Sequence, residues 1–360
     1  MYTAIDKKGK IPAYMQLYMA LRDKITEGAF PYGTKLPSKR ALAKDCGVSV
    51  ATAEHAYALL CDEDYCEMRE RSGCYVRYSK AKSFPSFGEI INEKEVTPLD
   101  IKFTDIPFSA VSKRMRKVLL DYGERILLKS PNNGAYELRE AICHYLFRSR
   151  NIKVTPGQVV IGSGAEYLYG ICIQMLGTNR KVALENPSYE KIREVYGANG
   201  AQCEMLDMDK EGIKLKALKK CEASILHVTP FHSYPSLITA SLQRRLEYLR
   251  WARERGAFII EDDYASEFLL TGTAPQTLFS LSGQENVIYI NTFSKTIAPS
   301  LRAGYMLLPE KLLPLYEERI GFYSCSVPML EQYFITDWIN SGDFERNINR
   351  KRHKGTSKKS

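Results

Sequence analysis

The sequence predicts an α/β protein in which helices flank a mostly parallel sheet, preceded by a small helical domain that ends in a two-stranded wing. Residues 257–260 and 286–291 are apolar runs that end in polar clusters, as buried central strands of a parallel sheet do. Far upstream, two short helical patterns flank a turn that contains glycine, and an alternating stretch follows them. A chain of 360 residues has room for two or three domains.

Charge is unevenly distributed along the chain. Residues 1–80 contain 13 Lys and Arg against 10 Asp and Glu, whereas residues 343–360 contain 7 against 2. These segments supply +3 and +5 of the net charge of +9, so the middle of the chain is close to neutral. Because most of the basicity belongs to the C-terminal tail, the overall charge is weak support for nucleic-acid binding.

Apolar runs and cysteine usage indicate the compartment. No run of about 18 apolar residues is present, and the N-terminus lacks the apolar region of a signal peptide. Nine cysteines, an odd number, are scattered without the CxxC spacing of a zinc site. We therefore expect a cytoplasmic protein with reduced thiols, no metal centre and no membrane partner.

The N-terminal region contains the signals of three helices and a hairpin. Residues 12–28 carry an apolar stripe at helical spacing that stops at Gly28. Ser38 is placed to cap a short second helix, and Ser49 to cap a third helix after the turn. Residues 65–78 alternate around a polar turn, which predicts the wing. The pattern is typical of a helix-turn-helix, and a plain three-helix packing unit is the alternative.

The stretch LPSKRALAKDCGVS, with the helix and wing that follow it, resembles the winged helix of the GntR family of regulators. The resemblance implies that residues 1–78 form a winged helix-turn-helix domain that binds double-stranded DNA as part of a homodimer. Its third helix would enter the major groove. Val50 and Glu54 stand where the family often has arginine, which lowers the expected electrostatic affinity. The positions that match DNA-contacting residues of the family are Ser38, Arg40, Ser49, Thr52, His55, Arg69, Arg71 and Gly73.

The middle and end of the chain differ in composition. Residues 79–100 mix charge, serine and proline without a sustained period, which predicts an interdomain linker. The larger domain is then expected over residues 101–342. Residues 343–360 are expected to form a basic tail that starts as a helix near Phe344 and is disordered from Arg350 onward.

Two strand ends of the larger domain carry groups that suit one cofactor. The first apolar strand leads into Asp262 and Asp263, and the second into Ser294 and Lys295. Ligands of open α/β sheets bind beyond the carboxyl ends of the strands. Pyridoxal 5'-phosphate (PLP) needs an amine for a Schiff base, a carboxylate at its pyridine nitrogen and donors for its phosphate. Lys295, one of the two acids, and Ser294 with Arg302 meet these needs. Alternatively, the lysine is a surface residue and the acids are helix caps.

The small-residue turn Gly162-Ser163-Gly164-Ala165 is a second signal for a phosphate ligand. It joins an apolar strand pattern to an apolar helix pattern, so its backbone N–H groups are expected at a helix N-terminus. We therefore interpret Ser163, Gly164 and Ala165 as an anion-binding turn.

EDDYASEF and NTFSKTIAPSLRAGY, in this order, resemble the fold-type I aminotransferase-like domain of the MocR group of GntR regulators. The resemblance implies a PLP site in which Asp262 holds the pyridine nitrogen and Tyr264 contacts the ring hydroxyl. It also implies that Lys295 forms the internal aldimine, that Arg302 binds the phosphate and that Tyr189 stacks on the ring.

The sequence departs from this group in three places. Lys129 stands where a tyrosine often contacts the phosphate of the neighbouring subunit. Ser233 and Leu237 replace a glutamine and a glycine. Where the group continues into a small domain with a substrate-binding arginine, this sequence ends in RKRHKGTSKKS, so we interpret it as a truncated member.

The resemblance implies a PLP-binding, DNA-binding transcription regulator that senses PLP or a small amino compound that exchanges onto it. The alternatives are a PLP-dependent aminotransferase with a DNA-binding appendage and a nonfunctional truncated product. Turnover requires a carboxylate clamp and a closing small domain, which the sequence does not display, and this favours the regulator.

Overall fold

The structure, a computed structural model, divides the chain into two compact units, Met1–Leu99 and Asp100–Ser360. This boundary falls at the end of the predicted linker. The linker, residues 79–100, and Arg71 of the wing lie outside the described residues. The structure describes residues 5–6, 11–63, 65–69, 72–78, 106, 108–264, 266–268 and 276–357.

The first unit consists of three helices and a hairpin. Its elements are α1 (Ala13–Thr26), α2 (Lys39–Cys46), α3 (Val50–Asp62), β1 (Cys66–Arg69) and β2 (Gly73–Val76). The Ser38 hydroxyl accepts the Ala41 N–H at 3.2 Å, and the Ser49 hydroxyl accepts the Thr52 N–H at 3.1 Å. Both serines thereby pair donors that the first turn of a helix leaves unsatisfied. Gly47 ends α2 in the left-handed conformation (φ 63°), which turns the chain toward α3.

One apolar core holds this unit together. Leu21 of α1, Leu42 of α2 and Leu60 of α3 are completely buried. The Tyr57 hydroxyl donates a hydrogen bond to the Pro37 carbonyl at 2.7 Å, which ties α3 to the segment before α2. β1 and β2 pair antiparallel, so the predicted wing is present.

The second unit contains ten α-helices and eight strands within its described residues. The helices are α4 (Phe108–Tyr122), α5 (Tyr136–Arg150), α6 (Ala165–Leu176), α7 (Glu190–Ala198), α8 (Leu215–Lys220), α9 (Leu242–Arg255), α10 (Leu278–Leu281), α11 (Leu313–Arg319), α12 (Met329–Asn340) and α13 (Asp343–Ser357). The strands are β3 (Val159–Gly162), β4 (Lys181–Asn186), β5 (Gln202–Asp209), β6 (Gly212–Ile213), β7 (Ile225–Val228), β8 (Phe258–Asp262), β9 (Val287–Thr292) and β10 (Gly304–Leu307).

These strands form one sheet in the order β3-β10-β9-β8-β7-β4-β5-β6. The run from β9 through β8, β7 and β4 to β5 is parallel throughout. β10 lies antiparallel to both of its neighbours, and β6 lies antiparallel to β5. The two strands predicted from apolar runs are β8 and β9, and they are direct neighbours with Asp262 opposite Ile290.

Helices cover both faces of the sheet, and successive strand residues alternate between two apolar clusters. In β8, Ile259 belongs to a cluster with residues of α5, α9 and α12, whereas Ile260 belongs to a cluster with residues of α6, α7 and α11. Since side chains of a strand alternate with a period of two, the next residues divide in the same way. Glu261 meets the N-terminus of α10 on the first face, and Asp262 meets α6 on the second.

The C-terminal helix is longer than predicted. α13 starts at Asp343, as expected, but continues to Ser357 through the segment expected to be disordered. Phe344 and Ile348, one helical turn apart, are buried in the core, and the Asn347 side chain donates to the Thr296 carbonyl at 2.6 Å. This packing anchors the helix, and propagation from an existing turn needs little further stabilisation. The basic composition alone therefore gave the wrong prediction.

Gly134 should be intolerant of substitution because of its conformation and its neighbour. Its φ is +100°, and an added Cβ would lie 2.7 Å from the Cβ of Ile161. We expect Gly134→Ala to lower the free energy of unfolding by about 2–4 kcal/mol, from backbone strain and overpacking. Chemical denaturation followed by circular dichroism measures the change.

Gly197→Ala is the matched control for this prediction. Gly197 lies inside α7, and a Cβ there meets no heavy atom within 4 Å. Alanine should raise stability by about 0.5–1 kcal/mol, because it restricts the unfolded chain and favours the helix. Equal effects of the two substitutions would contradict the steric argument for Gly134.

Candidate functional site

A cavity of about 360 Å³ opens where β8 and β9 end. Ligands of parallel sheets bind at this edge. The predicted cofactor-binding residues that line it are Ala165, Tyr189, Asp262, Tyr264, Ser294, Lys295 and Arg302. Ser163 and Gly164 precede α6 and do not line the cavity.

Asp262 presents a buried carboxyl group to the cavity. Its Oδ2 accepts a hydrogen bond from the Tyr169 hydroxyl at 2.6 Å, whereas its Oδ1 is buried and has no hydrogen-bond partner among the described residues. Burial raises the pKa of this carboxyl to about 7, and Tyr169 opposes the shift. An unpaired buried acceptor is costly, so Oδ1 is suited to a ligand that brings a donor.

Asp263 faces the other side of the sheet and does not line the cavity. Its carboxylate accepts hydrogen bonds from the Tyr289 hydroxyl at 2.8 Å and from the Ser266 N–H at 3.2 Å, and Arg150 lies 3.7 Å away. The alternation of the strand therefore separates the two acids, which residue types alone left equivalent.

Lys295 follows β9, and its amine lies 3.9 Å from the centre of the Tyr264 ring. Burial lowers the pKa of the amine, and the Asp262 carboxyl opposes this shift. Because the side chain is also open to solvent at the cavity mouth, the shift is smaller than full burial would give. The Tyr264 hydroxyl donates to the His232 carbonyl at 2.7 Å, which holds the ring beside the amine.

The start of α6 and Arg302 form the end of the cavity at which an anion is expected. An added Cβ at Gly164, whose φ is +97°, would lie 3.2 Å from Nη2 of Arg302, so the glycine lets the guanidinium approach the helix N-terminus. The Ser163 N–H donates to the Ser326 hydroxyl at 3.0 Å, and the Gly164 N–H donates to the Gly162 carbonyl at 2.8 Å. Both of these N–H groups thus already have acceptors, contrary to the sequence interpretation. The start of α6 and the Arg302 guanidinium remain as hydrogen-bond donors for an anion.

Aromatic residues and one strained loop complete the wall. Tyr189, which precedes α7, is 40% exposed and meets Tyr234 edge-on with ring centres 6.0 Å apart. The loop that carries Tyr234 is closed by the Ser233 N–H, which donates to the Ile238 carbonyl at 2.8 Å. Leu237 has a φ of 57°, so it adopts the left-handed conformation that favours glycine.

Sequence reasoning missed two of the wall residues on α6, Glu166 and Tyr169. Tyr169 follows Ala165 by four positions and Glu166 by three, and residues at either spacing share a helix face. A search along the helix after the small-residue turn would therefore have found both. Thr229, Tyr234 and Thr292 also line the cavity, and their contribution depends on strand register rather than on a local pattern.

The residues present fit PLP. Asp262 Oδ1 is a buried acceptor without a partner among the described residues, suited to a protonated ring nitrogen. Lys295 supplies an amine of lowered pKa in the same cavity, and Arg302 supplies a cation beside a helix N-terminus. Among the described residues, no group of three or more His, Cys, Asp and Glu side chains is arranged to hold a metal ion. Within those same ranges, no helix is long and apolar enough to cross a bilayer.

The predicted DNA-contacting residues of the first unit differ in their exposure and in the contacts that their side chains make within the unit. Arg40 on α2 is exposed. The Ser38 and Ser49 hydroxyls cap their own helices, and the Thr52 hydroxyl is 2.8 Å from that of Ser49. His55 is exposed and stacks on a tyrosine of α1 at 4.1 Å between ring centres. Among the residues of α2 and α3 predicted to contact DNA, Arg40 is therefore an exposed side chain with a permanent positive charge.

The wing is stiffened by its own contacts. Arg69 pairs with Glu67 at 2.5 Å and lies over the Tyr75 ring at 4.4 Å. Gly73 starts β2 with a φ of +117°, a conformation that favours glycine. Arg71 lies outside the described residues.

Asp262 should give stability a dependence on pH in the cofactor-free chain. Its pKa rises from 3.8 to about 7 on folding, so folding favours the protonated carboxyl. This contribution to stability is present in full below pH 4 and is lost as the pH rises through 7. Between pH 4 and 7, the unfolding free energy of the wild type should therefore decline by roughly 2–4 kcal/mol more than that of Asp262→Asn.

Denaturation series at several pH values test this prediction. Glu190→Gln, which changes an exposed acid at the start of α7, is the control and should leave the profile unaltered. If the unfolding free energies of wild type and Asp262→Asn depend on pH in the same way, the claim that burial raises the pKa of Asp262 is refuted.

Comparison with known proteins agrees with the two-unit architecture. The family model "Bacterial regulatory proteins, gntR family" matches residues 13–76, and the model "Aminotransferase class I and II" matches residues 102–359. The sequence is 35% identical to the HTH-type transcriptional regulator YdeL of Bacillus subtilis, covering 95% of this chain and 76% of YdeL. It is 26% identical to the HTH-type pyridoxine biosynthesis transcriptional regulator PdxR of Corynebacterium glutamicum, covering 94% of this chain and 75% of PdxR.

The structure is similar to that of LysN, the α-aminoadipate aminotransferase of Thermus thermophilus, solved with N-(5'-phosphopyridoxyl)-L-leucine. The TM-score is 0.59 at 26% identity, over 69% of this chain and 64% of LysN. The chain thus spans less than two thirds of that enzyme. Since both family models match in order and YdeL aligns over nearly the whole chain, the protein belongs to the MocR-type group of the GntR family, in which a helix-turn-helix domain precedes an aminotransferase class I and II domain.

Proposed function

We propose that the chain is a PLP-binding transcription regulator that binds double-stranded DNA as a homodimer in the cytoplasm and senses PLP or a small amino compound. The observation that carries the PLP assignment is the buried Oδ1 of Asp262, unpaired among the described residues, in the same cavity as the Lys295 amine. An acid that served only as a helix cap would pair its carboxylate oxygens with backbone N–H groups, whereas Oδ1 of Asp262 has no partner among the described residues.

Each residue has a defined task in this proposal. Asp262 accepts the N–H of the ring nitrogen and keeps it protonated. Lys295 provides the amine for covalent attachment, which its lowered pKa favours by increasing the deprotonated fraction. Tyr264 contacts the ring hydroxyl, Tyr189 stacks on the ring and Arg302 binds the phosphate. When bound, PLP supplies an aldehyde and an electron-withdrawing ring.

Ser294, which lines the cavity beside Lys295, is the further phosphate contact of the proposal. The turn of Ser163 and Gly164 contributes by shaping the start of α6, since its N–H groups are engaged. Two relatives support the assignment: LysN holds a phosphopyridoxyl ligand, and PdxR is named for pyridoxine biosynthesis.

DNA binding is assigned to the first unit. α3 is the recognition helix, and Arg40 with the wing contacts the duplex. The membership of the GntR family supports this assignment. An effector bound in the second unit would change DNA binding through the dimer.

Amino-group transfer is the second candidate function, because the same cavity suits a PLP-dependent enzyme. The two functions differ in one measurement. A regulator should exchange amino compounds at the cofactor without sustained release of a keto acid. Steady release over many turnovers from amino donors and keto acids would favour the enzyme.

Lys295→Ala should abolish covalent attachment of PLP, because no other amine in the described part of the chain lines the cavity. Borohydride reduction followed by peptide mapping should place the pyridoxyl group on Lys295 in the wild type. Lys153→Ala, at an exposed lysine outside the cavity, is the control and should leave labelling intact. Labelling mainly at another lysine would disprove the site. Labelling spread uniformly over all lysines would disprove the PLP assignment.

Arg40→Ala should weaken binding to duplex DNA from the chain's own upstream region. The expected loss in binding free energy is about 1–3 kcal/mol if Arg40 contacts a base edge. The affinity of both the wild type and the variant should fall steeply with salt. Arg250→Ala, at an exposed arginine on α9 of the second unit, is the control for loss of one positive charge. Binding that is absent, or insensitive to salt, would argue against the regulator. Titration by fluorescence anisotropy gives both quantities.

A further inference from the structure

Glu166 places a negative charge where the phosphate of PLP is expected. It lines the cavity from the first turn of α6, and its Oε2 lies 3.6 Å from Nη2 of Arg302. Its Oε1 lies 3.5 Å from the Lys191 ammonium, which belongs to α7. One carboxylate thus bridges two cations at the end of the cavity.

The location of Glu166 is favourable without any ligand. Acidic groups in the first turn of a helix interact well with the helix dipole and its unpaired N–H groups. The pairs to Arg302 and Lys191 add to this, although all three side chains are between 41% and 55% exposed and solvent weakens the pairs. The protein itself therefore already supplies an anion here, bound by the groups that a phosphate would use.

A phosphate and the Glu166 carboxylate would compete for the same guanidinium, that of Arg302. A phosphate that approaches Arg302 must displace the carboxylate from the guanidinium, or accept a like charge within a few ångströms. Two like charges at such distances repel each other even in a partly solvated site. Lys191 offers the displaced carboxylate a second partner, so displacement leaves α6 and α7 connected.

On the basis of the proposed PLP site, we infer that Glu166 is an affinity-setting residue that competes with the cofactor's phosphate for Arg302. It does not react with the cofactor, and it acts through the guanidinium. The consequence is a lower affinity for phosphorylated ligands, so occupancy can follow a changing PLP concentration. A residue that served only to hold α6 to α7 would not discriminate between phosphorylated and unphosphorylated ligands.

Glu166→Gln tests the inference, because it keeps the shape and removes the charge. We expect the Kd for PLP to fall about tenfold, the effect of one unit charge a few ångströms away. The Kd for pyridoxal, which lacks the phosphate, should change less than about twofold. Inorganic phosphate should compete with PLP about tenfold more strongly in the variant, because it would use the same guanidinium. Titration by absorbance and fluorescence measures all three quantities on the full chain.

Two further variants keep the test decisive. Glu166→Ala should shift the Kd for PLP in the same direction, so a local defect of the glutamine cannot explain the result. Glu190→Gln removes an exposed acid that pairs with Arg193 outside the cavity, and should change no Kd by more than about twofold. The gain in affinity should shrink at high salt, because screening weakens the repulsion.

The outcomes separate this inference from the proposed function. If the wild type binds PLP and Glu166→Gln binds it equally or more weakly, the affinity-setting role is refuted and the PLP site stands. The role is also refuted if pyridoxal gains as much affinity as PLP. If no protein in the set binds PLP or pyridoxal, the proposed function fails, and the inference about Glu166 fails with it.

Discussion

The pairing of β9 with its two neighbours is the constraint on which the cavity depends. Its parallel register with β8 brings Asp262 to the edge where β9 ends. Its antiparallel register with β10 sets Thr292 opposite Gly304, so the eleven residues between them, 293–303, must leave the sheet and return. That excursion carries Lys295 and Arg302. A Cβ at Gly304 would lie 2.8 Å from the Asn291 carbonyl oxygen, so this close return requires glycine.

The strand that carries Asp262 also carries a buried acid that supports the opposite face. Glu261 accepts the N–H groups of Leu278 and Phe279, both at 2.8 Å, at the start of α10. Burial nevertheless raises its pKa to about 8. Acids buried side by side reduce stability when ionised, and hydrogen bonds offset only part of that loss. The buried acids at this edge of the sheet therefore lower stability, and the apolar packing on its two faces must offset the loss.

Local signals in the sequence predicted much of this arrangement. The caps at Ser38 and Ser49, the apolar runs of β8 and β9 and the polar residues at their ends depend on neighbours in sequence, and the structure contains them. The engagement of Ser163 could not be predicted in this way, because its N–H partner, Ser326, lies 163 residues away. Residue types alone left the two acids equivalent, and only the family resemblance named Asp262. The strand alternation that explains this choice depends on which sheet face meets α6.

The ion pair between Glu166 and Arg302 was likewise beyond local patterns. Glu166 looked like an ordinary acid in a first helical turn, and only the folded chain brings it to Arg302, 136 residues later. The C-terminal helix gives the opposite lesson. Its start near Phe344 was predicted from the sequence, whereas the basic segment from Arg350 onward was predicted to be disordered and is helical as far as Ser357.

The intermediate acidity of Asp262 has a consequence for proton balance. Burial raises the pKa of this carboxyl to about 7, so its protonated form is favoured in the cofactor-free chain on the acid side of neutrality. A basic ring nitrogen that enters beside the protonated carboxyl can take that proton directly, so no proton has to come from the buffer. Where the carboxyl is ionised, the proton is drawn from solvent. The cavity thus acts as its own proton reservoir on the acid side of neutrality and ceases to do so in alkaline solution.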